Sequence, residues 1–313
     1  MNLGLGVDAL RLWAESVDYT GDVSVGTEIL KQIGESLRKL RNTSRFMLSN
    51  SHDLKLEKLV PYRCLNAFDK AALSSLHTCI KSCDEAYEAM NYQTVFKLTK
   101  HMCAHLSGSY LEVVKDRLYN NAADCPSRRS AQTTLVHMLN AIMMTNAPIV
   151  PHLMEELYSH AAQVRNPDPD RFSVFQQIWD PTKYEEWNNA DAAREWAHLQ
   201  DIRQVVNVAI EQAREQQVVK GTVECSVSIK LPKSAPEAET IRRFENDLAD
   251  VLSVATCNVV YDTNESEIIA VADKSQMHRC GRCWKHTAST ERTVCGRCSL
   301  VLKDLDFKRD TTK

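Results

Sequence analysis

Apolar residues recur at three- and four-residue steps through most of the first 165 positions, and at two-residue steps only beyond Gly221. The first period is that of a helix with one buried face, the second that of a strand with one buried face. Ile29, Leu30, Ile33, Leu37, Leu40, Met47 and Leu48 predict a long helix that opens at Thr27-Glu28 and runs to about Leu48. Before it, residues 3–20 read as a short helix carrying Leu5, Leu10, Leu12 and Trp13, closed by the turn Asp18-Tyr-Thr-Gly. A second helical stretch covers about 65–90. A third covers Tyr92–Arg117, on Val95, Leu98, Met102, Leu106, Tyr110, Leu111 and Val114. Asp124-Cys-Pro-Ser127 is a break, and Ser127 before Arg128 predicts the N-cap of a helix through Leu139 to Met144. Pro148 and Pro151 punctuate the chain before Glu155-Glu-Leu-Tyr158 resumes the pattern. Four or five long helices with short connections describe a helix bundle over residues 25–165.

Asn166–Lys183 reads as a loop, with Pro167, Pro169 and Pro181. A further helix covers about Asp191–Gln217. Val223, Cys225, Val227, Ile229 and Leu231 then alternate with polar residues, which predicts a strand. Pro236–Leu252 is helical in pattern, and Cys257–Tyr261 and Ile268–Ala272 are short strands. The predicted fold is therefore mainly α. Residues 1–24 form a leading segment, 25–165 the bundle, 166–217 a linker and helix, 218–275 a small α+β domain, 276–303 a finger and 304–313 a tail.

Length and composition agree with this division. At 313 residues the chain exceeds one small core, and 43% hydrophobic with 25% charged residues is an ordinary globular balance. No apolar run approaches a membrane span. The start, MNLGLGVDALRLW, has neither the basic and apolar regions of a secretory signal nor the Arg/Ser richness of a transit peptide.

The chemistry concentrates near the C-terminus. Cys280-Gly-Arg-Cys283 is followed after eleven residues by Cys295-Gly-Arg-Cys298. Each C-x-x-C pair aims two thiolates at one point, and two pairs complete a closed tetrahedral cage of the kind that suits Zn²⁺. A closed cage serves structure or recognition, because no coordination position is left for a substrate. No βαβ pattern surrounds either pair, as a redox pair would require. The other seven cysteines (64, 79, 83, 103, 125, 225 and 257) follow no framework spacing, which points to free thiols in a reducing compartment. Net charge is only −3, yet residues 278–313 carry nine Lys/Arg against four Asp/Glu, a local net of +5. Such a basic stripe is either a phosphate-contacting surface or a solvated tail.

Several stretches now converge on one family. Gly6–Trp13 (GVDALRLW) with Asp18–Asp22 (DYTGD) resembles the segment that follows the ATP-binding signature in class I synthetases. Glu28–Ile33 (EILKQI) and Arg38–Phe46 (RKLRNTSRF) are similar to the opening of the isoleucyl anticodon-binding bundle. Tyr110–Tyr119, Arg128–Thr133 and Ala147–Glu156 match its later helices, and Cys280–Trp284 with Cys295–Cys298 looks like its terminal zinc finger. The resemblance runs in order over nearly the whole chain and points to isoleucyl-tRNA synthetase of the bacterial and mitochondrial type. One departure stands out. The H-x-G-H and K-M-S-K-S motifs that form the aminoacyl adenylate are absent, as is the editing domain, so the chain is similar to the C-terminal third of that enzyme.

The resemblance implies an anticodon-binding bundle and a finger that bind the isoleucine isoacceptor of tRNA. Zn²⁺ would be held by Cys280, Cys283, Cys295 and Cys298, ATP would be used only by the full enzyme, and no catalytic residue lies in this chain. It also implies a monomer in the mitochondrial matrix, or alternatively the cytoplasm, with no membrane or DNA partner. Anticodon bases are single-stranded, so they can stack on aromatics or arginines and be read on their edges. Trp284 serves either as such a platform, worth about 1–3 kcal/mol, or as a cover for the small metal core. Arg282 and Arg297, at equivalent knuckle positions, suit phosphate or base contacts, and Lys285 and His286 are further candidates. His286 is also an alternative ligand, although four thiols already suffice. Arg38, Arg41, Asn42 and Arg45 share one helix face that is either solvated or set against the anticodon stem. Lys115, Asp116 and Arg117 are either tRNA contacts or helix ion pairs. Asp8 and Arg11 are expected to join the chain to the catalytic core. Two other readings compete: a stand-alone RNA-binding or regulatory module, and a zinc-finger DNA binder. The latter would need glycosylase-type catalytic residues and a longer gap between knuckles.

Overall fold

The computed structural model describes residues 6–161 and 173–311. In chain order the elements are α1 (Gly6–Ser16), α2 (Thr27–Asn50), α3 (Ala67–Glu88), α4 (Tyr92–Gly108), α5 (Tyr110–Asn120), α6 (Pro126–Asn146), α7 (Pro151–His160) and α8 (Ala190–Glu215). They are followed by β1 (Cys225–Pro232), α9 (Ala238–Phe244), α10 (Leu248–Val251), β2 (Thr256–Thr263), β3 (Ile269–Lys274), β4 (His278–Arg279), β5 (His286–Ala288) and α11 (Gly296–Thr311). The fold is mostly helical, with a small sheet region and a four-cysteine cluster that could hold a metal. Two units divide the chain: Met1–Tyr110 with Arg129–Ala190, and Leu111–Arg128 with Asp191–Lys313.

Three expectations need correction. The stretch from Tyr92 to Arg117 is two helices, because the Gly108-Ser109 pair breaks it and the Ser109 hydroxyl turns back to the His105 carbonyl at 2.5 Å. The next helix starts at Pro126, so Ser127 lies in its first turn and is no N-cap. Proline's fixed φ and missing N–H suit that first position. The helical pattern of 236–252 resolves into two short helices, α9 and α10. Pro167 and Pro169 of the predicted loop lie outside the described residues, and its described remainder holds two 3₁₀ turns, Val174–Gln176 and Pro181–Trp187.

In the first unit α6 is buried on all sides, the signature of a central helix. Leu135, Met138, Leu139, Ile142 and Met143 fill the core at or near zero exposure. Its polar residues are buried too, and they hold neighbouring segments. Thr133 accepts the Val60 N–H at 3.0 Å, and the Gln132 amide donates to the Asn50 carbonyl at 2.9 Å and to Asp53 at 2.6 Å. Asp69 of α3, fully buried, accepts from the Tyr110 hydroxyl at 2.8 Å and the Ser130 hydroxyl at 2.5 Å. Asp8 and Arg11, expected to join the chain to the catalytic core, make bonds that fasten α1 within this unit. The Asp8 carboxylate accepts the Leu153 N–H at 2.7 Å at the start of α7, where the helix dipole favours an anion. Arg11 donates to the Ile149 and Pro148 carbonyls, each at 2.9 Å.

Glu15, also on α1, is buried, and burial pushes its carboxyl up to about 8. The folded state thus keeps the proton that the unfolded chain releases near 4.5. Its contribution to stability is fully present below that value and is lost as pH rises towards 8. Glu15→Gln is therefore expected to stabilise the chain at pH 7.5, by on the order of 2 kcal/mol, and to flatten its stability between pH 5 and 8. Denaturant melts at both pH values check this; a variant no more stable than the parent at pH 7.5 would contradict it.

In the second unit the sheet order is β2-β1-β3, with β1 parallel to β2 and antiparallel to β3. Cys225, Val227, Ile229 and Leu231 of β1 are essentially inaccessible, as their alternation predicts. Ile241, Phe244, Leu248 and Val251 of α9 and α10 complete this core. The Glu195–Arg243 ion pair and the His198–Thr240 hydrogen bond of 2.9 Å tie α8 to α9.

Candidate functional site

Cys280 and Cys283 lie on the turn between β4 and β5. Cys295 precedes α11, and Cys298 sits in its first turn. The four Sγ atoms lie within 4.8 Å of one another, and those of Cys283 and Cys295 are 3.9 Å apart. A tetrahedral ion with Zn–S bonds of about 2.3 Å would set the sulfurs about 3.8 Å apart, so the donor set fits zinc. Among the described residues this is the group able to hold a metal, and His286 is not part of it. None of the eleven cysteines is in a disulfide. Cys280, Cys295 and Cys298 are buried together with Ala288, and Val294 packs against them. The knuckle backbone is tied down by Cys280 N–H to the Lys285 carbonyl (2.9 Å) and Gly281 N–H to the Thr293 carbonyl (3.0 Å). The Cys295 N–H points at Cys280 Sγ from 3.2 Å. Burial resists ionisation of Cys280, but the N–H groups of Cys295, Cys283 and Arg282 outweigh it and bring the thiol down to about 6. Cys283 and Cys298 go the other way, their thiols pushed up first by burial and further by neighbouring thiols, so a bound divalent cation would have to draw the proton from these two.

The three cations singled out on the knuckles turn inward. Arg297 makes a two-pronged pair with Asp116 of α5, its Nη2 2.9 Å from Oδ1. Arg282 donates to the Asn120 carbonyl at 2.6 Å and the Tyr119 carbonyl at 3.4 Å, closing off the end of α5. Lys285 is buried and pairs with Asp250 of α10 at 2.5 Å. Burial works against the Asp116 charge, yet the Arg297 hydrogen bond and the Lys285 charge hold its carboxyl below the usual range. Lys115 pairs with Glu112 at 2.5 Å, and Arg117 is buried and donates to the Ser127 carbonyl at 2.6 Å. Arg282, Arg297 and Lys285 fasten the finger to α5 and α10 within the second unit.

Trp284 points the other way. It is 60% exposed and does not belong to the finger's small core. Its φ is +66°, a conformation that bulky residues rarely adopt and that concentrates at binding sites. The knuckle holds it there through the Trp284 N–H bond to the Cys280 carbonyl at 3.1 Å. The Arg279 guanidinium lies over the indole, 5.3 Å from the ring centroid. Around the pair runs an open groove of about 600 Å³, whose rim includes Lys274, His278, His286, Glu291 and Arg292. Arg279, Lys274, His278 and Arg292 were counted in or beside the basic segment but not singled out, because nothing in their spacing places them round one indole.

In the first unit Arg38, Arg41, Asn42 and Arg45 are all exposed and line one face of α2. Arg38 pairs with Glu35, and Arg41 grips Glu156 of α7 through two bonds of 2.7 Å.

Comparison with known proteins adds independent findings. The family described as the anticodon-binding domain of tRNA ligase matches residues 69–229. A chloroplastic/mitochondrial isoleucine–tRNA ligase of Arabidopsis thaliana is 32% identical over 328 residues, which cover 95% of this chain and 30% of the relative. Isoleucine–tRNA ligases of Fervidobacterium nodosum and Thermotoga neapolitana are each 34% identical over 308 residues, 95% of this chain and 33% of theirs. The chain spans about a third of the length of the curated relatives it matches.

Proposed function

The chain belongs to the family of anticodon-binding domains of tRNA ligases, and we propose on that footing that it is the tRNA-binding, C-terminal part of an isoleucine–tRNA ligase. The partner would be the isoleucine isoacceptor of tRNA. The observation that carries this reading is the exposed Trp284 indole, set at positive φ under Arg279 at the mouth of a mostly basic groove. An unpaired base can stack on such an indole, while Arg279, Lys274 and Arg292 meet the phosphates on either side. Zinc is the proposed ion, held by Cys280, Cys283, Cys295 and Cys298; bound there it supplies rigidity to the backbone that sets Trp284. Arg282, Arg297 and Lys285 then act at one remove, by holding the finger against α5 and α10. On the first unit, Arg38, Arg41, Asn42 and Arg45 form the proposed surface for the stem, whose backbone would take over the Arg38 and Arg41 charges from Glu35 and Glu156. The chloroplastic/mitochondrial name of the Arabidopsis relative is the support for the proposed mitochondrial location, with the cytoplasm as the alternative.

Titration of the purified chain with an isoleucine tRNA transcript, read by fluorescence anisotropy, tests the reading. Trp284→Ala is expected to weaken binding about 5- to 150-fold, the equivalent of about 1–3 kcal/mol of lost stacking, and Trp284→Phe to restore most of it. Binding that survives Trp284→Ala unchanged would remove the indole from the tRNA site. Failure of the parent chain to prefer this transcript over another tRNA would overturn the function itself.

A further inference from the structure

The second unit has another open surface, chemically unlike the basic groove. Its sheet ends at β3, whose outer edge is paired by no other strand among the described residues. Natural edge strands are blunted by central lysines, prolines, bulges or a covering segment. β3 has the sequence IAVADK, with its single lysine at the last position, no proline, and an unbroken register against β1 from Ile269 to Lys274. Alongside lies a groove of about 450 Å³ walled by Val205, Val208 and Ala209 of α8 and by Ile268, Ile269 and Ala270. Val208 is 55% exposed, Ile269 38% and Val271 46%. An edge strand faced by a helix across an apolar cleft is the arrangement that captures peptides by strand addition: the open backbone edge supplies affinity and alternate side-chain positions supply selectivity. The charge nearby is acidic. Asp201 lines the groove, and the exposed Glu267 and Asp273 lie near Ile268–Ala270 along the chain, against Lys274 and against Lys230, which stands opposite Ile269 and is paired with Glu265 at 3.5 Å. That sign repels a polyanion and attracts a basic segment.

We propose that this groove accepts an extended, basic segment of a protein partner as a fourth strand on β3, with apolar residues at every second position. The occupant is a peptide and not RNA, so the chain would hold a protein and a nucleic acid on separate surfaces of its second unit.

The test is selection of random dodecapeptides displayed on phage against the full chain, with counter-selection on the Val208→Lys/Ile269→Lys variant. Circular dichroism and retained tRNA binding by that variant report its folding; if it folds poorly, Val208→Lys alone replaces it, since that side chain is mostly exposed. The expected result is a set of peptides with net positive charge and apolar residues at alternate positions, whose affinity falls at least about tenfold in the variant. Bound peptide is expected to slow amide hydrogen exchange across residues 269–274. Four outcomes would overturn the proposal. They are no peptide enriched over counter-selection, enriched peptides without the alternation or the positive charge, binding that leaves exchange in β3 unchanged, and a self-associating chain that Val208→Lys turns monomeric, which would make a second copy the occupant.

Discussion

Cys280→Ser is expected to abolish stoichiometric zinc and, with it, the ordered finger. Structural zinc sites of this type contribute on the order of 10 kcal/mol of apparent binding free energy, more than a knuckle this small can replace. The finger's own core amounts to the ligands themselves with Ala288 and Val294, so nothing apolar remains to hold it once the ion is gone. The loss should spread. Arg282 and Arg297 sit on the two knuckles and anchor to Asn120, Tyr119 and Asp116, so the end of α5 loses its caps when the knuckles open. Metal analysis should find about one zinc per parent chain and almost none in the variant. Hydrogen exchange should rise in residues 278–298 and also in 116–120, and affinity for the tRNA transcript should fall at least as far as in Trp284→Ala. A chelator applied to the parent chain should reproduce all three changes. A parent chain that carries no zinc would refute the metal assignment. A variant without zinc whose tRNA affinity is unaltered would mean that the finger lies outside the tRNA site.

The second large effect lies in the first unit and concerns folding alone. Asp69→Ala is expected to destabilise the chain by about 3–5 kcal/mol. Asp69 is inaccessible, and two buried hydroxyls, those of Tyr110 and Ser130, spend their protons on it. The Ser130 oxygen in turn accepts the Asn66 N–H at 2.8 Å, which fixes the start of α3. Truncation would take the Asp69 acceptor away from both hydroxyls and open a cavity, each lost buried bond costing about 1–3 kcal/mol. The apparent melting temperature should fall by roughly 10 °C, measured by calorimetry. Tyr110→Phe, which removes one donor and leaves the carboxylate its bond from Ser130, should cost about 1–2 kcal/mol. Equal melting of Asp69→Ala and parent would show that the carboxylate does not hold these segments. Zinc content should be the same in both, which separates this effect from the first.

Much of this was legible in residue order because it rests on local physics. Apolar steps of three and four in 29–48 become α2, and alternation in 225–231 becomes β1, because a helix and a strand each have one period and one buried face; Val223, counted with the strand, lies instead in the 3₁₀ turn Thr222–Glu224 before it. The ligand set was legible for the same reason: two C-x-x-C turns can each aim a pair of sulfurs only at one nearby point. The errors came where local signals compete. Val95 to Val114 keeps helical period across Gly108-Ser109, so the pattern hid a break that a flexible residue and a back-bonding hydroxyl created. Pro126 and Ser127 both mark helix starts, and proline's fixed φ won.

What the amino-acid order determined by itself is the inventory: which segments are helices and strands, which four thiols can share one ion, and which family the chain joins. What only the tertiary structure decided is the assignment of each charge. In the sequence Arg282, Arg297, Lys285 and Arg279 are equivalent cations on one basic segment. In the fold three of them meet Asn120, Asp116 and Asp250, from 35 to 181 residues away in the chain, while Arg279 alone lies over an exposed indole. Periodicity and spacing report on neighbours along the chain. The partner of a charge is set by which distant carboxylate or carbonyl packing brings within hydrogen-bond reach, and no local pattern encodes that.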